Sequence, residues 1–246
     1  MGILLTILEI VGGLLLAYWL FMHLLGPVLV KRSERLPMAY QFERLDDARF
    51  FADRSETFIM LDLDARNLGL QYVGSSVLKN TNANSYFSLY TGASPVVSLM
   101  LVTLESPLGD FTYAEFSRLL DNGGSVEISN APISPLFPEN PIKRQLRYPE
   151  INHLGTLHDA ALKLMAGLQG PAQPVSLSVG AEFQQVTEIL NDEIQRMVQL
   201  GYYQSQAVDG FYPISLKGAI LFSWKSLWPW QQLRQGWDVY CSRRLL

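Results

Sequence analysis

The chain of 246 residues carries one cysteine, Cys241, and three histidines, His23, His153 and His158. A single thiol excludes an intramolecular disulfide and any cysteine-rich metal site, and it agrees with a reducing compartment. The spacings G-x-S-x-G, G-x-G-x-x-G, H-E-x-x-H and the P-loop are all missing. Without them there is no sequence-local nucleophile elbow, dinucleotide turn, zincin helix or phosphate cradle. Charged residues make up only 17 % of the chain, and none of them falls between Ile10 and Val30.

That uncharged run of twenty-one residues is followed by Lys31, Arg32 and Arg35. A helix rising ~1.5 Å per residue needs ~20 apolar residues to cross a hydrocarbon core about 30 Å thick, so the run reads as a transmembrane anchor. A cleaved signal peptide needs a basic start and a shorter apolar stretch. Met1 to Thr6 hold no Lys or Arg, and Leu29-Val30-Lys31 is a poor cleavage site. Lys and Arg close to a span stay on the cytoplasmic side, which predicts the N-terminus outside and the remainder of the chain in the cytoplasm. Glu9 then falls in the outer headgroup region.

The net charge of −4 is unevenly distributed. Residues 1–36 carry +1, and residues 213–246, with Lys217, Lys225, Arg234, Arg243 and Arg244 against Asp238, carry +4. Removing those two ends from the whole-chain charge leaves residues 37–212 at −9. An acidic body repels phosphates, so a nucleic-acid partner is not expected; attraction to anionic lipid is left to the two basic ends.

Patterning predicts an α+β fold in three parts: an anchor with its basic flank (1–36), a cytoplasmic domain (37–210) and a tryptophan-rich tail (211–246). Asp53 with Glu56, followed by Phe58, Leu61, Ala65 and Leu68, predicts a helix over 54–68 stopped by Gly69. From Tyr72 to Ser129, β-branched and aromatic runs separated by short Gly/Asn/Pro/Ser breaks predict an antiparallel meander of four or five strands. Val96–Leu104 is nearly all apolar and should lie at its centre, and Asn122-Gly123 reads as a type I′ turn. Four prolines in 131–142 (Pro132, Pro135, Pro138, Pro141) predict a strap, with Lys143–Tyr148 an edge strand beyond it. Two further helices are expected, one capped by Thr156 and one over about 180–200 with Phe183, Val186, Leu190, Ile194 and Met197 on one face. These helices should pack on the sheet.

The tail holds every tryptophan except Trp19: Trp224, Trp228, Trp230 and Trp237. They alternate with Lys217, Lys225 and Arg234, and no acidic residue lies between Asp209 and Asp238. Trp favours the headgroup boundary and basic groups favour an anionic leaflet. Two lysines and Pro229 exclude a second full span, so a kinked amphipathic helix lying in the inner interface is predicted. The alternative is that Leu216, Ile220, Trp224, Leu227 and Trp228 cover the soluble core. The expected interfacial residues are Lys31, Arg32, Arg35, Lys217, Trp224, Lys225, Trp228, Trp230, Arg234 and Trp237. Cys241, beside Arg243 and Arg244, reads as packed at a helix end, with acylation the alternative.

Chemistry-bearing clusters are sparse. Glu150 and His153 form one E-x-x-H, but a di-iron site needs two such pairs. Asp62 and Asp64 diverge on a helix and read as a solvated face. Ser75-Ser76 after Gly74 is the one serine pair placed suggestively on a turn. No catalytic residue, metal ligand or cofactor is therefore assigned. The function expected is a non-catalytic, membrane-tethered interaction module, an accessory or scaffold subunit whose partners are the bilayer and a membrane protein. The alternatives are a domain at the inner membrane face that handles a lipid or apolar ligand, and a membrane-bound hydrolase or transferase built around Glu150, His153, His158 and Asp159.

Overall fold

A computed structural model describes residues 2–79, 84–93, 96–105, 109–138 and 140–246. The elements in chain order are α1 (Gly2–Ser33), β1 (Arg35–Pro37), β2 (Glu43–Arg44), α2 (Asp47–Ala52), α3 (Glu56–Asn67), β3 (Gln71–Lys79), β4 (Asn84–Ala93), β5 (Val96–Glu105), β6 (Phe111–Leu120), β7 (Ser125–Ser129), β8 (Lys143–Arg147), α4 (Leu154–Leu168), β9 (Pro174–Val175), α5 (Glu182–Gln199), β10 (Phe211–Pro213), α6 (Leu216–Ser226) and α7 (Trp230–Arg243). They form two compact units: Met1–Met38 with Ile194–Arg234, and Ala39–Glu193 with Gln235–Leu246.

In the larger unit the strand order is β2-β3-β4-β5-β6-β7-β8, with β9 added to β6. Strands β3 to β7 are the predicted antiparallel meander, and β5 is at its centre. Alternation along the strands sorts the two faces. Val97, Leu99 and Leu101 of β5, Ala114 and Phe116 of β6, and Val126 and Ile128 of β7 meet Phe50 of α2, Phe58, Leu61 and Ala65 of α3, and Leu157, Ala161, Leu164 and Met165 of α4 in one buried core. On the other face Leu78, Phe87 and Val102 form a smaller cluster with Tyr40, Phe42 and Tyr113. The Phe42 ring also packs edge-on against Phe183 of α5, with centroids 5.7 Å apart.

Several local expectations are corrected. The α3 cap is Ser55, whose hydroxyl accepts from Phe58 N at 3.3 Å, and not Asp53, which closes the short helix α2 instead. Thr156 is not a cap either: α4 begins at Leu154. Only Gly123 in the β6–β7 turn has positive φ, so Asn122-Gly123 is not a type I′ pair, which needs both residues there. Instead Asn122 Oδ1 accepts from Gly124 N at 2.9 Å and the loop is longer. Strand β8 is an edge strand as expected, but it runs parallel to β7. A parallel neighbour needs a crossover, and the proline-rich strap supplies the length. Ser75 and Ser76 lie within β3, just past a bulge at Tyr72/Gly74, and not on a turn. The break at 80–83 falls outside the described residues.

In the smaller unit β1 pairs antiparallel with β10, Arg35 opposite Pro213. The chain reaches β10 through Asp209-Gly210, both at positive φ, between reciprocal hydrogen bonds linking Val208 and Phe211 at 2.7 and 3.0 Å. That is a two-residue type I′ hairpin turn. The tail that follows is not one kinked helix. It is two, α6 and α7, separated by Leu227-Trp228-Pro229 with a cis Trp228-Pro229 bond.

Candidate membrane-facing site

Helix α1 runs for 32 residues, through Gly26 and Pro27, and is long and apolar enough to cross a membrane. It is exposed almost all round. The exception is a stripe: Trp19, Met22, His23, Gly26, Pro27 and Val30 are half-buried while the residues between them stay exposed. Steps of three and four residues place those six on one helical face. Against that face lies α6, running antiparallel. A Cβ added to Gly26 would meet the Ser223 hydroxyl and come within 3.7 Å of Leu227 Cδ1. At the far end Trp19 Nε1 donates to the Trp228 carbonyl at 3.2 Å. His23 uses Nδ1 on the Trp19 carbonyl at 2.8 Å, while its Nε2 is buried without a hydrogen-bond partner among the described residues.

The polarity of α6 is inverted relative to a soluble surface helix. Its inward positions are small: Gly218, Ala219 and Ser223 are buried. Its outward positions are large and apolar, with Leu216 58 % exposed, Ile220 49 % and Trp224 47 %; Trp228, just beyond the helix, is 67 % exposed. The face that would have covered a soluble core is thus the exposed one. Gly218 is required by close approach, because a Cβ there would strike the Tyr202 carbonyl and lie 2.9 Å from Ile214 Cγ1. Ser215 caps α6 through Gly218 N at 3.0 Å.

The ten residues singled out from sequence are distributed as follows. Lys31 and Arg32 are exposed in the last turn of α1, and Arg35 is exposed in β1. Lys217 donates to the Leu200 carbonyl at 2.7 Å and sits 4.7 Å from the Tyr202 ring centroid. Trp224 meets Trp230 edge-on at 5.1 Å, which brings the start of α7 back onto α6. Lys225 and Arg234 are half-buried on the same hairpin. Trp237 lies in the other unit, exposed and tilted against Tyr240. Cys241 is exposed and not packed at the helix end. The small-residue face of α6 was missed from sequence, although Ala219 and Ser223 at helical spacing are its signature.

In the larger unit the polar groups are tied to structure. Asp62 does not join a solvated face with Asp64: it is buried, accepts from Tyr90 Oη and takes Arg66 Nε at 3.0 Å. Burial and the hydrogen bond to Asp62 push the Tyr90 phenol up. Ser75 Oγ is 2.7 Å from both Tyr72 Oη and Ser88 Oγ. Tyr72 Oη also donates to Asp47 at 2.6 Å. Glu150 is paired with Arg243 at 2.6 Å. Partial burial works to raise its carboxyl, but the Arg243 hydrogen bond and charge, with a backbone hydrogen bond, hold it below the usual range. His158 packs its ring 5.3 Å from Phe116, and His153 is exposed at the start of α4. Among the described residues no group of three or more His, Cys, Asp or Glu is placed to hold a metal.

One acidic pair stands apart. Glu115 on β6 and Glu127 on β7 line a groove of about 290 Å³ with Tyr113, Ser129, Gln145 and Arg147. Glu127 accepts from Ser125 Oγ at 2.6 Å and from Gln145 Nε2. Desolvation first, and Glu127 second, push the Glu115 carboxyl up to about 8, with Lys143 opposing. No family model, no characterised protein and no solved structure matches this chain.

Proposed function

We propose that the chain is a membrane-tethered interaction module, a non-catalytic accessory subunit of a membrane protein complex. On this reading α1 is a single-pass anchor, its N-terminus faces outside, and the acidic α+β body is cytoplasmic. The observation that carries it is the pair α1 and α6: an unburied apolar helix carrying one covered stripe, with a partner helix that turns small residues inward and Leu216, Ile220 and Trp224 outward. An apolar patch of that extent is a liability in water and ordinary in lipid. The basic flank at Lys31, Arg32 and Arg35 supports the orientation. The groups of the hydrolase alternative support a structural role, since Glu150 is committed to Arg243 and the His158 ring to Phe116. The lipid-handling alternative draws no support from the main core, which is filled by the side chains of α2, α3, α4 and the sheet.

The test is purification of the tagged full chain in mild detergent, with a reporter fused to the C-terminus assayed in intact cells. A companion membrane protein at fixed stoichiometry and a cytoplasmic reporter are expected. A chain that migrates strictly alone, or a reporter active outside the cell, refutes the assignment.

A further inference from the structure

We propose that α6 and the first turn of α7 form a re-entrant hairpin, which enters the cytoplasmic leaflet beside α1 and turns at Trp228-Pro229 near the middle of the bilayer. This rests on the reading of α1 as a transmembrane anchor and goes beyond it, because an anchor alone would leave the tail lying at the interface.

Three register points fix the depth. Arg35 pairs with Pro213, Gly26 faces Ser223, and Trp19 contacts Trp228. Each residue gained along α6 is matched by one residue back along α1, as two antiparallel helices in direct contact require. Lys31 marks the cytoplasmic boundary of the anchor, and Trp19 lies twelve residues deeper, ~18 Å at 1.5 Å per residue. The hydrocarbon core is about 30 Å thick, so the Trp228 tip reaches its centre.

Two independent features fit that environment. The first is the inverted polarity of α6: small residues permit close backbone contact where no hydrophobic force drives helices together, and the large apolar residues are left to face acyl chains. The second is the backbone of the turn. Irregular chain survives in hydrocarbon when its polar groups are satisfied from within. Leu227 N donates to the Trp224 carbonyl at 3.3 Å, and the Leu227 carbonyl accepts from Gln231 N at 3.1 Å. The Pro229 carbonyl accepts from Leu233 N at 3.0 Å, and the Trp228 carbonyl accepts the indole of Trp19. Pro229 has no N–H to satisfy, and the Trp228 N–H is the one donor of the turn without a hydrogen-bond partner among the described residues. The hairpin carries two charges beyond the first turn of α6, Lys225 and Arg234, with Gln231 and Gln232 beside the turn; both charged residues are half-buried and have stems long enough to carry their charge towards the headgroups. The occupant of the outer face is therefore lipid acyl chain.

The test uses the full chain in vesicles of phosphatidylcholine and phosphatidylglycerol in three-to-one ratio. Two single-tryptophan variants keep Trp19 or Trp228, with the other tryptophans replaced by Phe. Lipids brominated near the headgroup, at mid-chain or near the chain end serve as quenchers. The expected result is strongest quenching of Trp228 by the mid-chain or chain-end bromines, with the same depth ranking as Trp19. If Trp19 is deep and Trp228 is quenched best near the headgroup or by aqueous iodide, the hairpin is overturned and the anchor stands. If Trp19 is itself reached by iodide, both fail. Because the Phe replacements could weaken the hairpin, a second measurement uses single cysteines in the Cys241→Ser background at exposed positions. Ile220→Cys and Trp228→Cys should react with an impermeant maleimide at least ~10-fold more slowly in vesicles than Gln206→Cys, as expected for a thiol in hydrocarbon. Equal rates refute the proposal.

Discussion

Replacing Glu115 with Gln should make the larger unit more stable in mild alkali than the unaltered protein and leave it nearly unchanged in mild acid. The Glu115 carboxyl titrates near 8 in the folded chain against an ordinary 4.5, because the groove strips it of water and Glu127 adds like charge. A raised pKa means that the folded state holds the proton more tightly than the unfolded state. Stability is then undiminished below pH ~4.5 and falls as pH rises towards ~8, by up to ~1.4 kcal/mol per pH unit. Over that window the upper bound is ~5 kcal/mol, and solvent reaching the half-buried side chain reduces it to ~2–3 kcal/mol. At ~2–4 °C per kcal/mol for a unit of this size, the difference between variant and parent should be roughly 5–10 °C at pH 8 and vanish near pH 5. Thermal unfolding followed by circular dichroism in detergent at several pH values measures it. A protonated-carboxyl infrared band that is lost near pH 8 in the parent, and missing in the variant, would identify the group. Parallel pH profiles for the two proteins would refute the account of the groove.

Three further outcomes follow from the geometry. In a Cys241→Ser background, Gly26→Cys with Ser223→Cys should crosslink on oxidation while Gly12→Cys with Ser223→Cys should not, read by mobility on a non-reducing gel. Equal crosslinking would refute the antiparallel register of α1 and α6. Gly218→Ala forces a methyl onto the Tyr202 carbonyl and should destabilise the smaller unit by ~1–3 kcal/mol, seen as faster proteolysis within residues 200–215. The Arg54 side chain, 5 % exposed, places Cζ 3.7 Å from the Tyr86 ring centroid and pairs with Glu105 at 3.0 Å. Arg54→Ala should cost ~2–4 kcal/mol in thermal unfolding and Arg54→Met about half as much, since Met retains the packing but not the charge.

Where burial follows periodicity, the fold was legible. The length of α1, the alternation of β6, the apolar β5 and the face of α5 each follow directly from residue spacing. Partners distant in sequence were not legible. Asp62 interrupts an apolar stripe, and nothing nearby announces that Tyr90, twenty-eight residues on, will meet it inside. Glu115 occupies the polar side of an alternating strand, and that side becomes a groove only because β7 brings Glu127 beside it. The parallel setting of β8 depends on where the strap lets the chain return. The Asp209-Gly210 turn, by contrast, was readable, being a D-G pair between Val208 and Phe211, but it lay at an assumed domain boundary. In α6 the aromatic and basic residues drew attention to the exposed face, whereas its mate is defined by what Gly218, Ala219 and Ser223 lack.

The pairing of α1 with α6 joins segments that lie far apart in the polypeptide, and this imposes an order on biogenesis. At ~5–20 residues per second a ribosome needs roughly 10–40 s to go from the first helix to the sixth. Throughout that interval the stripe bearing His23 and Gly26 is without its mate, open to chaperones or to a competing helix. The sheet emerges in between, but the larger unit also includes Gln235–Leu246, so both units are completed only after the chain beyond residue 215 has been made.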